Sequence, residues 1–183
     1  ARHRAMIEAY VEWRRQTRSE LTEVGVEVEI DGVLVPSGDD GGEIRVRGRV
    51  DRLERDTAGR LVIVDIKTGK TPVTKDAAQR HAQLAMYQLA VAEGLIPGEV
   101  PSEVPGGGEP GGARLVYVGK AAGATERRQD PLSPAARDEW RDLVRRAADA
   151  TTGPSFPARR NDGCSHCPIR PSCPAHADVR EPQ

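Results

Sequence analysis

The chain has 183 residues, with 27 lysines and arginines against 28 acidic residues and a formal net charge of −1. This length suits one domain with a real hydrophobic core, and the near-neutral charge means that any contact with nucleic acid must come from a local basic patch. No apolar run approaches the roughly 18 residues of a membrane span and no start resembles a signal peptide, so we expect no membrane insertion.

The first third of the chain predicts one helix followed by three strands. Residues 5–20 place apolar side chains at helical spacing opposite an Arg/Glu-rich face, which is typical of an amphipathic helix. Residues 24–30 alternate valine and glutamate and predict a strand, residues 36–43 predict a turn or flexible loop, and residues 44–53 predict a second strand. Residues 61–66 are mostly apolar, as expected of a central strand that is buried on both faces.

The remainder predicts a helix, a strand and a further helix. Residues 77–93 carry apolar side chains at helical spacing, and Gly94 follows where a left-handed cap is common. Residues 97–112 are rich in glycine and proline and predict a mobile segment, and residues 113–118 predict a strand. A Ser-Pro pair at 133–134 predicts the start of the last helix. The predicted order is α-β-β-β-α-β-α followed by a tail.

Two strand ends carry the residues that suggest chemistry. The segment from Asp56 to Gly59 has the composition of a turn, so the strands on either side should form a hairpin. If the hairpin is symmetric about position 58, Asp51 lies across from Asp65 with Cβ atoms about 4.5–5.5 Å apart. Because side chains alternate along a strand, Lys67 shares the face of Asp65.

Two carboxylates at that separation repel, so they must be solvated, share a proton or bind a cation. Oxygen ligands alone favour a hard ion, Mg²⁺ or Mn²⁺. Such an ion can polarise a phosphoryl oxygen and lower the pKa of a bound water, while Lys67 orients that water or stabilises the transition state. The pattern predicts phosphodiester hydrolysis. The alternative is a solvated Asp65–Lys67 ion pair, with Asp51 neutralised by Arg49 and Arg52.

The strings Gly48-Arg49-Val50-Asp51-Arg52 and Val64-Asp65-Ile66-Lys67-Thr68-Gly69 resemble the RecB family of PD-(D/E)xK nucleases, in which a G-x-x-D strand precedes a D-x-K strand. The resemblance implies a mixed α/β (α+β) fold with a restriction-endonuclease-like core, in which helices flank a central mixed sheet. It also implies that Asp51, Asp65 and the backbone carbonyl of Ile66 bind the Mg²⁺ or Mn²⁺ ion, and that Lys67 is the catalytic lysine.

A further family signature, Q-x-x-x-Y on a helix, is matched by Gln83 and Tyr87, which lie on one helix face. The two side chains suit contact with a DNA backbone or an exposed base, although alone they are ordinary helix-surface residues. Glu27 corresponds to a glutamate often seen on this strand of the family, or is simply solvent-facing. Cations gather near the predicted site, and they fit either phosphate binding or a solvated surface. We assign Arg49 to DNA binding. The cations are Arg49, Arg52, Lys67, Lys70, Lys75 and Arg80.

Cys164, Cys167 and Cys173 are the only cysteines and match C-x2-C-x5-C. An odd number of clustered cysteines favours metal ligation over a disulfide framework. The spacing resembles the C-terminal iron–sulfur staple of AddB-type helicase–nucleases, which implies an iron–sulfur (4Fe–4S) cluster in the intact parent. Such a cluster normally takes four thiolates. Two alternatives for these cysteines therefore stay open. They bind Zn²⁺ together with His166 or His176, or they belong to a disordered, thiol-bearing tail.

The resemblance implies a nuclease core over residues 1–160 and a Cys-rich tail over residues 161–183. The family also places a cysteine and a histidine ligand upstream, and His3 does not fit the histidine position, so we expect a fragment of a longer helicase–nuclease that is weak or inactive alone. No G-x-x-x-x-G-K-S/T nucleotide-binding motif is present.

The expected function is metal-dependent DNA cleavage, exonucleolytic or endonucleolytic, on single strands and duplex ends in double-strand-break resection and recombinational repair. Expected partners are DNA, a helicase domain in the same parent chain and a partner helicase–nuclease subunit, and reduced, clustered cysteines indicate the cytoplasm. Two alternatives are a catalytically silent nuclease fold that binds DNA or braces a subunit, and an interaction module built on the Cys-rich tail.

Overall fold

The structure is a computed structural model that describes residues 2–35, 42–96, 108–120, 123–152 and 154–176. The helices are α1 (Arg2–Thr17), α2 (Lys75–Gln79), α3 (Ala82–Ala92) and α4 (Pro134–Asp149). The strands are β1 (Leu21–Val35), β2 (Ile44–Asp56), β3 (Leu61–Lys67), β4 (Pro110–Tyr117) and β5 (Thr125–Gln129). The chain divides into two compact units, Ala1–Arg145 and Arg146–Gln183, and the first contains the whole sheet.

The sheet has five strands in the order β1-β2-β3-β4-β5. β3 and β4 are parallel, and all other neighbouring strands are antiparallel. The connection between the two parallel strands carries α2 and α3. Because parallel strands run in one direction, β3 and β4 end at the same edge of the sheet, where clefts for ligands commonly form. The predicted mixed α/β architecture is confirmed.

Alternation along β3 separates two apolar layers. Ile63 packs with Leu84 of α3 on one face of the sheet. Val62 and Val64 pack with Trp13 of α1 on the other face. These β3 side chains are almost fully buried, which confirms the predicted central strand. The polar end of β3, Asp65 to Lys67, is therefore held by a rigid apolar strand, and Asp65 points to the α3 side.

The helix predicted over residues 77–93 is interrupted in the structure, because α2 ends at Gln79 and α3 begins at Ala82. Gln129 Nε2, from β5, donates hydrogen bonds to the backbone oxygens of Gln79 at 3.0 Å and His81 at 3.1 Å. A side chain from a distant strand thus binds carbonyl groups that a continuous helix would bond internally. Gly94 has the predicted left-handed conformation, with a φ of 68°.

Two further differences concern strands. β5 is not anticipated by the sequence analysis because its residues, Thr-Glu-Arg-Arg-Gln, have no apolar alternation, and it forms an edge of the sheet. β4 begins at Pro110, so the end of the segment predicted to be mobile is a strand. The rest of that segment, residues 97–107, and residues 36–41 of the earlier predicted loop lie outside the described residues. None of the helices that the structure describes is long and apolar enough to cross a membrane.

Candidate active site

The turn between β2 and β3 sets the register of the site. Asp56 Oδ1 accepts hydrogen bonds from the backbone N–H groups of Ala58 at 3.0 Å and Arg60 at 2.8 Å. Gly59 has a φ of 83°, a left-handed conformation that glycine adopts without steric cost. The turn therefore has the local chemistry that the sequence predicts.

Asp51 and Asp65 come from opposing positions on β2 and β3. The antiparallel ladder pairs Arg52 with Val64, so the next residues along the two strands, Asp51 and Asp65, are in opposing register. Beyond the ladder, Asp51 Oδ2 accepts a hydrogen bond from the Ile66 N–H at 2.8 Å. This bond fixes the Asp51 carboxylate against the end of β3.

Asp65 has the least satisfied carboxylate of the site. The residue is only 3% exposed, and its Oδ2 accepts no hydrogen bond from the described residues. Lys67 Nζ lies 2.7 Å from this oxygen in an ion pair but does not direct a hydrogen bond at it. Buried polar atoms are nearly always satisfied, and among the described residues the Lys67 charge is what compensates this oxygen. Two opposed carboxylates, one of them with an oxygen that accepts no hydrogen bond, fit a hard divalent ion.

A chain of hydrogen bonds, which we call the lysine-holding chain, extends from Lys67 to the backbone of β2. Lys67 Nζ donates to Gln83 Oε1 at 3.2 Å, and Gln83 Nε2 donates to Tyr87 Oη at 3.3 Å. Tyr87 Oη donates in turn to the Arg49 carbonyl at 2.9 Å. The structure thus connects the predicted Gln83 and Tyr87 to Lys67, and a contact between them and DNA stays a prediction.

The ring of Tyr87 lies over β2 at Gly48. A Cβ atom at Gly48 would lie 3.4 Å from Tyr87 Cε1, which is an ordinary van der Waals contact. The phenol therefore packs on the G-x-x-D string, from where its hydroxyl donates to the carbonyl of the next residue, Arg49.

His81 is a site residue that the sequence analysis missed. It precedes α3, and its Nδ1 is buried without a hydrogen-bond partner among the described residues. Burial lowers the pKa of His81, the positive charge of Lys67 lowers it further, and Asp65 opposes this in part. The lowered pKa favours the neutral imidazole close to the Asp65–Lys67 pair. Its position two residues before Gln83 was the only signal in the sequence.

We expect His81 to make the fold sensitive to acid. Because its folded-state pKa lies below the ordinary 6.5, the unfolded chain binds a proton at a higher pH than the folded chain. The free energy of unfolding should therefore fall as the pH drops below about 6.5. His81→Gln removes this contribution, so the difference in Tm, parent minus variant, should decrease on acidification. Thermal unfolding from about pH 7.5 to about pH 5.5 measures it, and a constant difference would contradict a neutral His81.

Arg52 does not belong to a basic patch at the site. Its side chain is 7% exposed and forms ion pairs with Glu54 and Glu23. Glu54 is fully buried and also accepts a hydrogen bond from Arg14 at 2.7 Å. Arg52 is thus unavailable to a phosphate, contrary to the interpretation that it joins the cations of the site.

Arg49 remains accessible, since its side chain is 65% exposed, and it pairs with Glu27 at 2.8 Å. Glu27 has a φ of 51°, a conformation that is strained for a residue with a side chain. Arg80 pairs with Asp76 on the surface. Nothing in these contacts tests the assignment of Arg49 to DNA.

The predicted cysteine ligands lie in the second unit, in a run of short 3₁₀ turns at Asp162–His166, Arg170–Ser172 and Pro174–His176. The thiols of Cys164, Cys167 and Cys173 are free and partly exposed. In the part of the chain that the structure describes, no three Cys, His, Asp or Glu side chains converge into a group that could hold a metal ion. Neither the iron–sulfur set nor the zinc alternative is assembled, and both stay predictions.

Comparison with known proteins agrees with this geometry. A family model described as PD-(D/E)XK nuclease superfamily matches residues 1–174. Fourteen chains of solved structures are significantly similar. One is the crystal structure of SSO0001, which has a TM-score of 0.52 and 17% identity over 94% of this chain and 68% of that chain.

At this identity the likeness to SSO0001 supports the fold alone. No curated protein is significantly similar to this chain, and the comparisons do not single out the RecB or AddB branch. The family match covers nearly the whole chain, including both acidic strand ends, the lysine and the Gln83–Tyr87 helix. The chain therefore belongs to the PD-(D/E)XK nuclease superfamily.

Proposed function

We propose that this chain is the metal-dependent deoxyribonuclease domain of a RecB- or AddB-like helicase–nuclease, cutting single strands and duplex ends during double-strand-break resection and recombinational repair. Superfamily membership supports a nuclease-type domain, and the metal, the DNA substrate and the repair role are the proposal. The observation that carries it is Asp65, a buried carboxylate whose Oδ2 accepts no hydrogen bond from the described residues and lies 2.7 Å from Lys67 Nζ in an ion pair.

Asp51 and Asp65 would hold the Mg²⁺ or Mn²⁺ ion, with the Ile66 carbonyl as a third donor. When bound, the ion would act as a Lewis acid on the phosphate and on a water molecule. The protein supplies the rest. Lys67 lies beside Asp65, where its ammonium stabilises negative charge that develops on the phosphate. The lysine-holding chain fixes that ammonium before substrate binds, so no reorganisation is needed during the reaction.

Two features support the finer assignment to a helicase–nuclease. The G-x-x-D, D-x-K and Q-x-x-x-Y strings occur in the family's order, and a C-x2-C-x5-C tail follows them. A 4Fe–4S cluster on Cys164, Cys167 and Cys173 would take its fourth thiolate from outside these 183 residues. A catalytically silent fold would have no need of Asp51, Asp65 and Lys67 together.

Cleavage assays with the full-length protein test this function. We expect labelled linear single strands and duplexes to be cut with Mg²⁺ or Mn²⁺, and cleavage to stop when EDTA removes the ion. Circular single strands of the same sequence show whether an end is required, and RNA of the same sequence tests the preference for DNA. Absence of cleavage with either metal, on every substrate, would contradict the proposal and favour a silent fold.

Tyr87→Phe tests the lysine-holding chain, because it removes the phenolic hydrogen bond and keeps the ring. One such bond is worth about 0.5–1.5 kcal/mol, so we expect kcat to fall about two- to tenfold while affinity for DNA is retained. Single-turnover cleavage and fluorescence anisotropy measure the two quantities. Weaker binding with an unchanged cleavage rate would instead indicate that the phenol contacts DNA.

A further inference from the structure

A second concave site lies at the edge of the sheet where β3 and β4 end. It is a cavity of about 470 Å³, lined by Arg2, Ala5, Met6, Lys70, Val118, Gly119 and Lys120. Its volume is within the range of about 300–1,000 Å³ that is typical of small-ligand sites. Its lining includes none of the residues of the acidic centre, the name that we use for Asp51, Asp65 and Lys67.

Beside the cavity, the backbone segments that follow β3 and β4 approach each other closely. The Val118 N–H donates to the Lys67 carbonyl at 2.9 Å, which joins the end of β4 to the end of β3. A Cβ atom at Gly119 would lie 2.3 Å from the Thr68 carbonyl oxygen, so only glycine permits this approach. Arg2 Nη2 also donates to that Thr68 oxygen, at 3.4 Å, and brings α1 to the same edge.

The lining has the two properties that recognise a nucleotide. Among the described residues it contains three cationic side chains, Arg2, Lys70 and Lys120, and no carboxylate. Its apolar wall includes Met6, whose thioether makes favourable contacts with aromatic rings. A phosphate group would neutralise the cations, and a nucleobase would pack against the apolar wall.

The cavity is close to the acidic centre along the chain. Lys70 follows Lys67 by three residues, so their Cα atoms are at most about 11 Å apart. This distance is about the length of three stacked nucleotides. The side chains of Asp65 and Lys67 lie on the α3 side of the sheet, whereas Met6 belongs to the α1 side. A strand that passes over the sheet edge would reach both places.

We propose that this cavity binds one nucleotide of the single strand whose nearby phosphodiester enters the acidic centre, with Lys70 and Lys120 on the phosphate and Met6 against the base. The inference rests on the proposed function, and it assigns the path of the strand. It predicts a binding contribution that does not depend on the metal or on cleavage.

The test measures binding of fluorescent oligo-dT by full-length protein carrying Asp65→Asn, which blocks cleavage. Adding Lys70→Ala and Lys120→Ala should weaken binding and reduce the slope of log K against log salt concentration by about 0.7, since both lysines contact one phosphate and each phosphate of a single strand contributes about 0.7. The matched control, Arg15→Ala with Arg145→Ala, removes two exposed cations that do not line the cavity and should leave the slope unchanged.

Met6→Gln tests the apolar wall. Protein with Met6 should bind oligo-dT about two- to tenfold more tightly than the same oligomer with one abasic position at the nucleotide that occupies the cavity. Met6→Gln should remove this difference. An unchanged salt slope in the double lysine variant, from a protein that still cleaves DNA when Asp65 is intact, would overturn the inference and leave the proposed function standing. Absence of both binding and cleavage would overturn both.

Discussion

Asp65→Asn should abolish metal-dependent cleavage, with a loss of about 10³-fold or more in kcat/KM. The amide occupies the same space as the carboxylate, so packing of this 3% exposed residue is preserved. It removes the negative charge and the unsatisfied oxygen that together favour a divalent ion. Lys67→Ala should cost about 10²–10³-fold, because it removes the cation beside the phosphate and leaves both acids.

The two variants should differ in their binding of the ion. Calorimetric titration with Mn²⁺ should show lost affinity in Asp65→Asn and retained or improved affinity in Lys67→Ala, since the ammonium competes with the ion for the Asp65 oxygen. Asp76→Asn is the matched control, because it removes an exposed carboxylate that pairs with Arg80. Undiminished cleavage in either variant would exclude the acidic centre as the catalytic site.

Arg52→Ala should destabilise the fold by about 1.5–3 kcal/mol, the largest stability effect that we expect of a single charged residue. The truncation leaves Glu54, which is fully buried, with Arg14 as its remaining cation. A buried charge that loses one of its two partners keeps its desolvation cost and only part of the compensating attraction. Urea unfolding followed by circular dichroism measures the free energy of unfolding.

Arg47→Ala is the control for this prediction. Its side chain is 78% exposed and pairs with Asp31, and exposed ion pairs contribute about 0–1 kcal/mol. The double variant Arg52→Met with Glu54→Leu should lose less stability than the sum of the single variants, because it removes both buried charges together. Equal losses for Arg52→Ala and Arg47→Ala would show that burial of the Arg52 network is unimportant.

The acidic centre was predictable because local chemistry determines its register. The turn at Asp56 to Gly59 and the apolar length of β3 place Asp51 opposite Asp65 with no information from the rest of the chain. The alternation of β3 likewise places Lys67 on the face of Asp65. Both conclusions depend only on residues that are close together in the sequence, so the sequence alone was enough to reach them.

The parts that could not be predicted depend on distant partners. The break between α2 and α3 involves Gln129, which lies on another strand. The buried Arg52 pairs with Glu23 from β1, and its other partner, Glu54, also pairs with Arg14 from α1. His81 is drawn into the site by the same break. Apolar periodicity contains no information about such polar contacts, so neither of the two interpretations of the cation pattern, phosphate binding or a solvated surface, describes the buried Arg52.

The parallel arrangement of β3 and β4 has a practical consequence for modifying this protein. The Leu61 N–H donates to the Glu109 carbonyl at the beginning of β3, one residue before β4 begins. Lys67 is six residues further along that strand, about 20 Å away. A fluorescent label or an affinity handle attached at Glu109, whose side chain is 68% exposed, would therefore lie at the end of the sheet remote from the chemistry.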